Sequence, residues 1–353
     1  MKLLIAAGGT GGHIFPGISV AEAFTAEKTG EILFAGTPYG LEGKLIPPAG
    51  YRLVNIEARP FTGRSATAKA ATLIAVLRGT LQSLQLIRLE KPDAVLGMGG
   101  FTSVPVLLAG LFLRVPCFIH EQNVFPGMAN RLLARKVNAT FVSFAETSRY
   151  VNARKVVHTG NPIRKTVRGR RQPKEASPFA IFVFGGSRGA RSINDAVLDL
   201  LTYLENGRST ALYHQTGAED YSRVLAGYAA SNTIHEVFPF TDSMEKYYNL
   251  ADVVISRAGA STIFELSYFR KPAVFVPYPY AAGGHQGKNA SYVAAIGGGC
   301  TIENGEVSGK SLSAALEKLR DHPEELRRMG ENIGSIYVED AEKRVMRGIQ
   351  ESV

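Results

Sequence analysis

The sequence predicts an α/β protein made of two doubly wound parallel-sheet domains. Three observations carry that reading. Short apolar runs of strand length alternate with amphipathic stretches of helical length along most of the chain, the pattern of parallel strands joined by crossover helices. The pattern opens with an apolar run, a glycine turn and a helix, breaks at a basic, proline-bearing segment, and then opens again in the same way. The length, 353 residues, exceeds what one hydrophobic core usually supports.

The elements follow in order. KLLIAA reads as the first strand, and a helix is expected from about Pro16, because proline is compatible with a first helical turn. EILFAG and YRLVNI supply two more strands, a long helix is expected near 66 to 90, and DAVLGM, PCFIHE and NATFVSF are strands again. The segment RKTVRGRRQPKEASP, residues 164 to 178, is polar, basic and carries prolines, so the domain boundary belongs there. FAIFVFGGSRGARSINDAV then restarts the strand, glycine loop and helix order, followed by TALYHQTG, TIHEVFPF, ADVVISRAG, KPAVFVPYP and the weaker GGGCTIE. The remaining sequence is rich in helix and has no strand pattern. In doubly wound sheets ligands collect at the carboxyl ends of strands, so two such domains facing each other would set a cleft between two groups of loops.

Composition narrows the class. Hydrophobic residues make up 45% and charged residues 20% of the chain, which excludes a disordered polar protein. Cys117 and Cys300 each lack the nearby second thiol of a CxxC redox or zinc motif and read as buried residues of a reducing compartment. MKLLIAAGG has no signal-peptide core, so a cytosolic location is expected. The apolar run VPVLLAGLFLRVP is interrupted by Arg114 and reaches only about half of the ~20 residues a membrane span needs, so no segment is expected to cross a bilayer. A net charge of +9 calls for an anionic partner, which leaves nucleic acid, a phosphorylated substrate or an acidic membrane.

Three glycine loops share one pattern: GGTGGH at 8 to 13, GMGGFTS at 97 to 103 and GGSRGA at 185 to 190. Each follows an apolar strand and opens a helix. Glycine lets backbone approach a ligand closely, and free N–H groups at a helix start favour phosphate; a tight turn without a ligand is the alternative for any one loop. The spacing fits neither common phosphate motif. From Gly9 a GxGxxG pattern would need glycine at Ile14, and no GxxxxGK[ST] is present. A DxD pair that would let a divalent metal hold a diphosphate is also lacking, so phosphate neutralisation falls to helix ends and arginines.

SRAGASTIFELSYFRKP, residues 256 to 272, offers such a site. Arg257 precedes a glycine turn, Ser261 or Thr262 is expected to cap the following helix, and Glu265 lies three residues after Thr262 on nearly the same face. A capping box would account for Thr262 and Glu265 alone. It would not account for Arg257, nor for the polar cluster of His285, Gln286 and Asn289 in GGHQGKNASYV.

GGTGGHIFPG, GGFTSVP, HEQNVFPGMANR, GNPIR, GGSRGAR, SRAGASTIFEL and HQGKNA, in this order and across nearly the whole chain, resemble the MurG family. That family makes lipid II of peptidoglycan by moving N-acetylglucosamine from UDP to the C4 hydroxyl of the muramyl sugar of lipid I. The resemblance implies a GT-B fold of two Rossmann-like domains, 1 to 162 binding acceptor and membrane and 163 to 336 binding the UDP-sugar, with a C-terminal helix at about 337 to 353 returning to the first. It implies inversion at the anomeric carbon, no metal and no other cofactor, and a peripheral place on the cytoplasmic face of the plasma membrane. Arg164, Ser187, Thr241, the segment Ala260, Ser261, Thr262, Ile263, Phe264 and Glu265, and Gln286 match positions that hold the donor, with Glu265 facing the ribose. Arg257 and Asn289 belong to the same group from their residue chemistry. Thr10, Gly11, Gly12 and Asn123 match donor contacts reaching from the first domain, and the GGTGGH turn would cradle the acceptor pyrophosphate as well as part of the donor sugar. His13 matches the residue near the acceptor hydroxyl and is a candidate general base, or else a helix-start contact; Glu121 is the second candidate base, or else orients its loop. Three positions depart from the pattern: Arg188 stands for glutamine, Ala258 for serine, and Thr241 for an isoleucine beside the uracil. A glycolipid synthase acting on diacylglycerol and a non-catalytic nucleotide-sugar-binding module share parts of this motif set.

A lipid acceptor requires a membrane-facing surface. No acidic residue occurs between Glu57 and Glu90, while Arg59, Arg64, Lys69, Arg78 and Arg88 do, and Leu73, Ile74, Leu77, Leu81 and Leu84 recur at helical spacing. An ordinary core-facing helix would explain Leu77, Leu81 and Leu84 in part; an apolar face rimmed by basic side chains on anionic lipid explains the missing acids as well. Nucleic acid is not expected, since no binding motif occurs and aromatics are not interleaved with the basic residues.

Overall fold

A computed structural model of the protein describes residues 1–27, 30–59, 65–172, 178–204 and 209–353; Arg64 and linker residues 173–177 lie outside them. The chain divides into two compact units, Met1–Arg164 with Val338–Val353, and Lys165–Tyr337.

The first unit holds a seven-stranded, all-parallel sheet: β1 Lys2–Ala6, β2 Glu31–Gly36, β3 Arg52–Asn55, β4 Ala94–Gly97, β5 Cys117–Glu121, β6 Ala139–Val142 and β7 Val156–His158, in the order β3-β2-β1-β4-β5-β6-β7. Its helices are α1 Gly11–Ala26, α2 Glu42–Leu45, α3 Ala66–Glu90, α4 Ser103–Phe112 and α5 Met128–Leu133. Alternation along β1 explains the layering. Leu3 and Ile5 pack with Ile14, Ile18 and Phe24 of α1 on one face, while Leu4 and Ala6 pack with Leu86, Ile87, Val106 and Leu107 of α3 and α4 on the other.

The second unit holds six parallel strands: β8 Phe179–Phe184, β9 Thr210–Gln215, β10 Ile234–Phe238, β11 Val253–Ser256, β12 Ala273–Phe275 and β13 Gly299–Thr301, in the order β10-β9-β8-β11-β12-β13. They are joined by α6 Arg191–Leu204, α7 Tyr221–Tyr228, α8 Met244–Leu250, α9 Ala260–Phe269 and α10 His285–Ala295, and followed by α11 Gly309–Asp321 and α12 Pro323–Gly334. Ile181 and Val183 of β8 face an aliphatic layer from α6, α11 and α12. Phe182 and Phe184 face an aromatic one, with Phe182 5.4 Å from Tyr247 and 5.6 Å from Tyr248. The last helix, α13 Ala341–Gln350, belongs to the first unit, where Val345, Met346 and Ile349 join the layer of Phe24 and Phe141.

Four expectations change. Helix α1 begins at Gly11, so Pro16 lies inside it; burial of Ile14 draws the glycine-rich segment into the helix despite its low intrinsic propensity. Strand β7 and the short α2 were not legible. Lys69–Glu90 of α3 is, by length and composition, long and apolar enough to cross a membrane, where no segment was expected to be. Its packed face belongs to the first unit, with Thr72, Ala75, Ser83, Leu86 and Ile87 buried. Finally, Leu77 and Leu81 are 58% and 62% exposed, so the core-facing account of them fails; Leu84 does pack against the core.

Candidate active site

In each sheet the strand order reverses between two neighbours, β1 and β4 in the first and β8 and β11 in the second. Loops leaving adjacent strands at such a point run to opposite faces and open a crevice at the carboxyl edge. GGTGGH leaves β1, GMGGFTS leaves β4, GGSRGA leaves β8 and SRAG leaves β11. All of these motifs stand at the topological switch points.

In the first unit Thr10 is the N-cap of α1, exposed and in extended conformation, and Gly11, Gly12 and His13 form the first turn. The N–H groups of His13 and Ile14 donate to Thr10 O at 3.1 and 3.2 Å. The amides of Gly11 and Gly12 precede these bonds, at the positive end of the helix dipole, an arrangement suited to an anion. Behind the loop lies a carboxylate that the sequence reading did not single out. Glu42, fully buried, accepts from Gly9 N at 3.3 Å, from Thr37 N at 2.9 Å and from Thr37 Oγ1 at 2.7 Å. The acid that β2 lacks at its tip therefore arrives five residues after Thr37 and holds the glycine turn in place.

The loop after β4 has a different task from the phosphate cradle expected of it. Gly99 and Gly100 have φ of +91° and +74° and lie against the His13 imidazole. A Cβ on Gly99 would sit 3.0 Å from His13 Nδ1, and one on Gly100 only 2.6 Å from Gly8 O. Glycine suits both places because φ is positive, with the ring filling the space at Gly99 and the Gly8 carbonyl at Gly100.

Glu121, at the end of β5, is buried. Its Oε1 accepts from Asn123 N at 2.9 Å and Asn123 Nδ2 at 3.1 Å, and its Oε2 from Gly127 N at 3.0 Å and Asn130 Nδ2 at 2.7 Å. Four donors on one carboxylate describe a loop organiser, which corrects the expectation of Glu121 as a base. Asn123 is held by that carboxylate, and its carbonyl accepts from Thr147 Oγ1 at 3.0 Å. Arg164 stacks its guanidinium 4.6 Å from the ring centroid of Phe15 on α1.

In the second unit the exposed Ser187 and Arg188 occupy the tip of the GGSRGA loop, with Arg188 4.0 Å from Glu219. Both members of that ion pair are exposed, so it adds little. Gln215, which the sequence reading passed over, bridges two motifs: its Nε2 donates to Gly186 O at 3.2 Å and its Oε1 accepts from Thr241 N at 3.1 Å. Ser187 and Thr241 are thus held in one neighbourhood.

The expected caps on α9 are corrected. Gly259 is the N-cap, and Ser261 and Thr262 lie inside the first turn, so no capping box explains them. Ser261 Oγ is buried and makes no hydrogen bond among the described residues. Ala260, Ile263 and Phe264 are buried, and Ile263 N donates to Gly259 O at 3.0 Å, so the side chains of Ile263 and Phe264 serve the core and not a ligand. Glu265 is 5% exposed, and its Oε2 accepts from Tyr248 OH at 2.9 Å. Arg257 is tied down by Nη1 to Val276 O, Pro277 O and Asn304 Oδ1 at 2.9, 3.1 and 2.7 Å, and by Nη2 to Ser192 Oγ at 3.1 Å. Burial lowers its pKa, and these four bonds join the segments after β12 and β13 to α6. Gln286 Oε1 accepts from Tyr278 N at 2.9 Å, and buried Asn289 donates to Ala258 O at 3.2 Å, fixing the start of α10 to the SRAG turn.

Two doubly wound parallel-sheet units of this kind constitute the GT-B glycosyltransferase fold. Residues 3–142 match the glycosyltransferase family 28 N-terminal domain, and residues 180–345 match its C-terminal domain. The chain is 41% identical over 348 residues to the UDP-N-acetylglucosamine--N-acetylmuramyl-(pentapeptide) pyrophosphoryl-undecaprenol N-acetylglucosamine transferase of Geotalea uraniireducens, covering 97% of this chain and 95% of that protein. It is 40% identical to the protein of the same description from Geobacter sp. strain M21, over 98% and 95% of the two chains. The crystal structure of Acinetobacter baumannii MurG superposes with a TM-score of 0.84 at 27% identity, over 99% of both chains. The chain belongs to glycosyltransferase family 28 and, within it, to the MurG family.

Proposed function

We propose that the protein transfers N-acetylglucosamine from UDP-N-acetylglucosamine to the C4 hydroxyl of the N-acetylmuramyl residue in undecaprenyl-pyrophosphoryl-MurNAc-pentapeptide, the step from lipid I to lipid II. The observation that carries this reading is similarity over 97% of the chain to a transferase of that description, and this chain's glycine loops and SRAG turn stand at the switch points of both sheets. The first unit, through Thr10, Gly11 and Gly12, receives the acceptor diphosphate, and the second holds the donor. Around the donor, Ser187, Thr241, Gln286 and the first turn of α9 line the nucleotide-sugar, and Glu265 accepts from the ribose. Arg164 and Asn123 contribute from the first unit. The reaction is a single displacement. The C4 hydroxyl attacks the anomeric carbon opposite the leaving group, UDP departs with the electron pair, and the hydroxyl proton passes to His13.

The same reading puts the protein peripherally on the cytoplasmic face of the plasma membrane, with α3 as the contact. Over residues 72 to 83, helix α3 turns small residues inward and large apolar residues outward: Thr72, Ala75 and Ser83 are buried, while Leu73, Ile74, Leu77 and Leu81 are 49% to 62% exposed; Leu86 and Ile87, farther along, face the core. Gly79 lets the helix close on Glu57, where a Cβ would come within 2.0 Å of the carbonyl oxygen. Lys69 and Arg78 flank this face, Arg78 at 3.8 Å from Glu57. Outward apolar residues rimmed by cations match an interfacial helix on anionic lipid.

The deciding experiment incubates labelled UDP-N-acetylglucosamine, in EDTA, with a lipid I analogue or with diacylglycerol. Transfer to the lipid I analogue alone is the expected result. Transfer to diacylglycerol alone would mark a glycolipid synthase, and nucleotide-sugar binding without transfer to either would mark a binding module.

A further inference from the structure

Four of the separate motifs meet in one hydrogen-bonded chain inside the first unit. His13 of GGTGGH has Nδ1 3.0 Å from Gln122 Oε1, and Gln122 Nε2 lies 3.0 Å from His120 Nδ1. His120 Nε2 lies 3.2 Å from Gly160 O of GNPIR, and Gly99 and Gly100 of GMGG wall the His13 ring. His120 and Gln122 are buried, and no role was assigned to either above.

The direction of every hydrogen in this chain follows from two carbonyl anchors, Met98 O and Gly160 O. Gln122 Nε2 donates to Met98 O at 2.8 Å, and a carbonyl can only accept, so the nitrogen end of that amide is identified. The oxygen end then faces His13, and an amide oxygen cannot donate. His13 Nδ1 must therefore carry the hydrogen. Gly160 O can only accept, so His120 Nε2 carries its ring hydrogen and Nδ1 is the acceptor; the second hydrogen on Gln122 Nε2 faces that Nδ1 at 3.0 Å, with His120 O farther off at 3.3 Å. Burial presses the His120 pKa down to about 4, so the ring stays neutral and its Nδ1 stays an acceptor.

We infer that Gln122 and His120 are positioning residues that lock His13 in its Nδ1–H tautomer, putting the ring's lone pair on Nε2 to take the proton of the acceptor hydroxyl. This inference rests on the base role proposed for His13. In water the Nε2–H form of a histidine predominates, so the Nδ1–H form has to be imposed by a partner. When Nε2 takes the proton, the ring becomes an imidazolium and Nδ1–H remains a donor to Gln122 Oε1. That bond strengthens with the charge, and no hydrogen in the chain has to move. The glycine walls and the amide together fix both ring plane and tautomer.

The test reads the tautomer directly. In the full-length protein labelled with 15N-histidine, long-range proton–nitrogen correlation reports which ring nitrogen of His13 carries hydrogen, with His13→Ala identifying the signal. We expect Nδ1–H in the unaltered protein, and the Nε2–H form to predominate in Gln122→Met. Gln122→Met should also lower kcat by roughly 10- to 100-fold, the range for losing a residue that orients a reacting group, with acceptor KM and UDP affinity unchanged. His120→Leu should do the same. His120→Asn, whose Oδ1 can replace Nδ1 as acceptor, should restore both tautomer and rate. An Nε2–H tautomer in the unaltered protein overturns the inference without needing any variant to fold, as does an unchanged His13 tautomer in Gln122→Met. A locked Nδ1–H tautomer combined with normal turnover in His13→Ala would leave the positioning chain standing and remove the base role instead.

Discussion

His13 is the first candidate for the base and Glu121 the second, and their hydrogen bonds separate them. A carboxylate accepting from Asn123, Gly127 and Asn130 loses the loop it organises if it takes a proton, whereas a protonated His13 ring keeps Nδ1–H on Gln122 Oε1. His13→Ala is expected to lower turnover by ~100-fold or more while UDP affinity, measured by calorimetry, stays the same. Equal losses in both would make it a binding residue. Glu265→Ala tests the donor side: loss of a charged acceptor for the ribose should weaken UDP binding by roughly 1 to 3 kcal/mol, and unchanged affinity would remove Glu265 from the site. Buried histidines set the acid limit of the fold. His120 and His214, the latter bonded to Tyr228 OH and Asn194 Oδ1 at 3.1 Å each, have pKa values pressed by burial to about 4 and about 3. Their folded pKa lies below the unfolded value, so the unfolded chain binds protons first as pH falls. The stability they carry is complete above about pH 6.5 and declines from there toward pH 4 and 3, by up to ~1.4 kcal/mol per pH unit for each ring. Urea midpoints should fall over that window, and His120→Asn should flatten the upper part of the slope.

At the scale of the element, α3 departs from the usual amphipathic rule because its inner face is selected for closeness. Over residues 72 to 83 small residues let it lie against the chain at Glu57 and against α4, leaving Leu73, Ile74, Leu77 and Leu81 to face outward. Exposed residues contribute little to folding, so Ile74→Ser with Leu77→Ser should leave thermal stability within about 0.5 kcal/mol. The same double variant should bind anionic vesicles more weakly. Lys69→Glu with Arg78→Glu should weaken vesicle binding further at low salt than at high salt, at about 1 kcal/mol per basic residue. Wild-type vesicle binding in both folded double variants would move the membrane surface elsewhere. A large loss of stability in the serine variant would return the stripe to the core.

For the whole molecule, the C-terminal segment ties the end of the chain to its beginning. Met346 and Ile349 of α13 fill the layer between α1 and Phe141, and Gly348 is needed because a Cβ there would meet Phe141 at 2.5 Å. Ile349→Ala should lower the stability of the first unit by about 2 to 5 kcal/mol, the usual cost of an aliphatic core truncation. The second unit, with its own core, should keep its transition. Two-step denaturation with only the first step shifted is the expected pattern, and a uniform shift would show that the units unfold together.

The parallel-sheet class, both glycine openings and the acid-free helix were legible because each is a local pattern: apolar period, glycine at a strand tip, missing charge. The motif residues were also legible as a set. What they touch was not. Glu42 reaches Gly9 across 33 positions, Gln122 reaches His13 across 109, and Arg257 spends its donors on atoms from Ser192 to Asn304, so none of these partnerships leaves a periodic trace. Ser261 and Thr262 read as caps because side-chain type suggests a helix start, yet Gly259 takes that place where the backbone must turn at the end of β11. The sequence by itself determined the fold class and where along the chain the glycine turns leave the strands, since hydrophobic period and turn residues act locally. Tertiary structure alone decided which polar groups are used up on one another, because a buried donor or acceptor takes whatever partner the packed strands bring within about 3 Å.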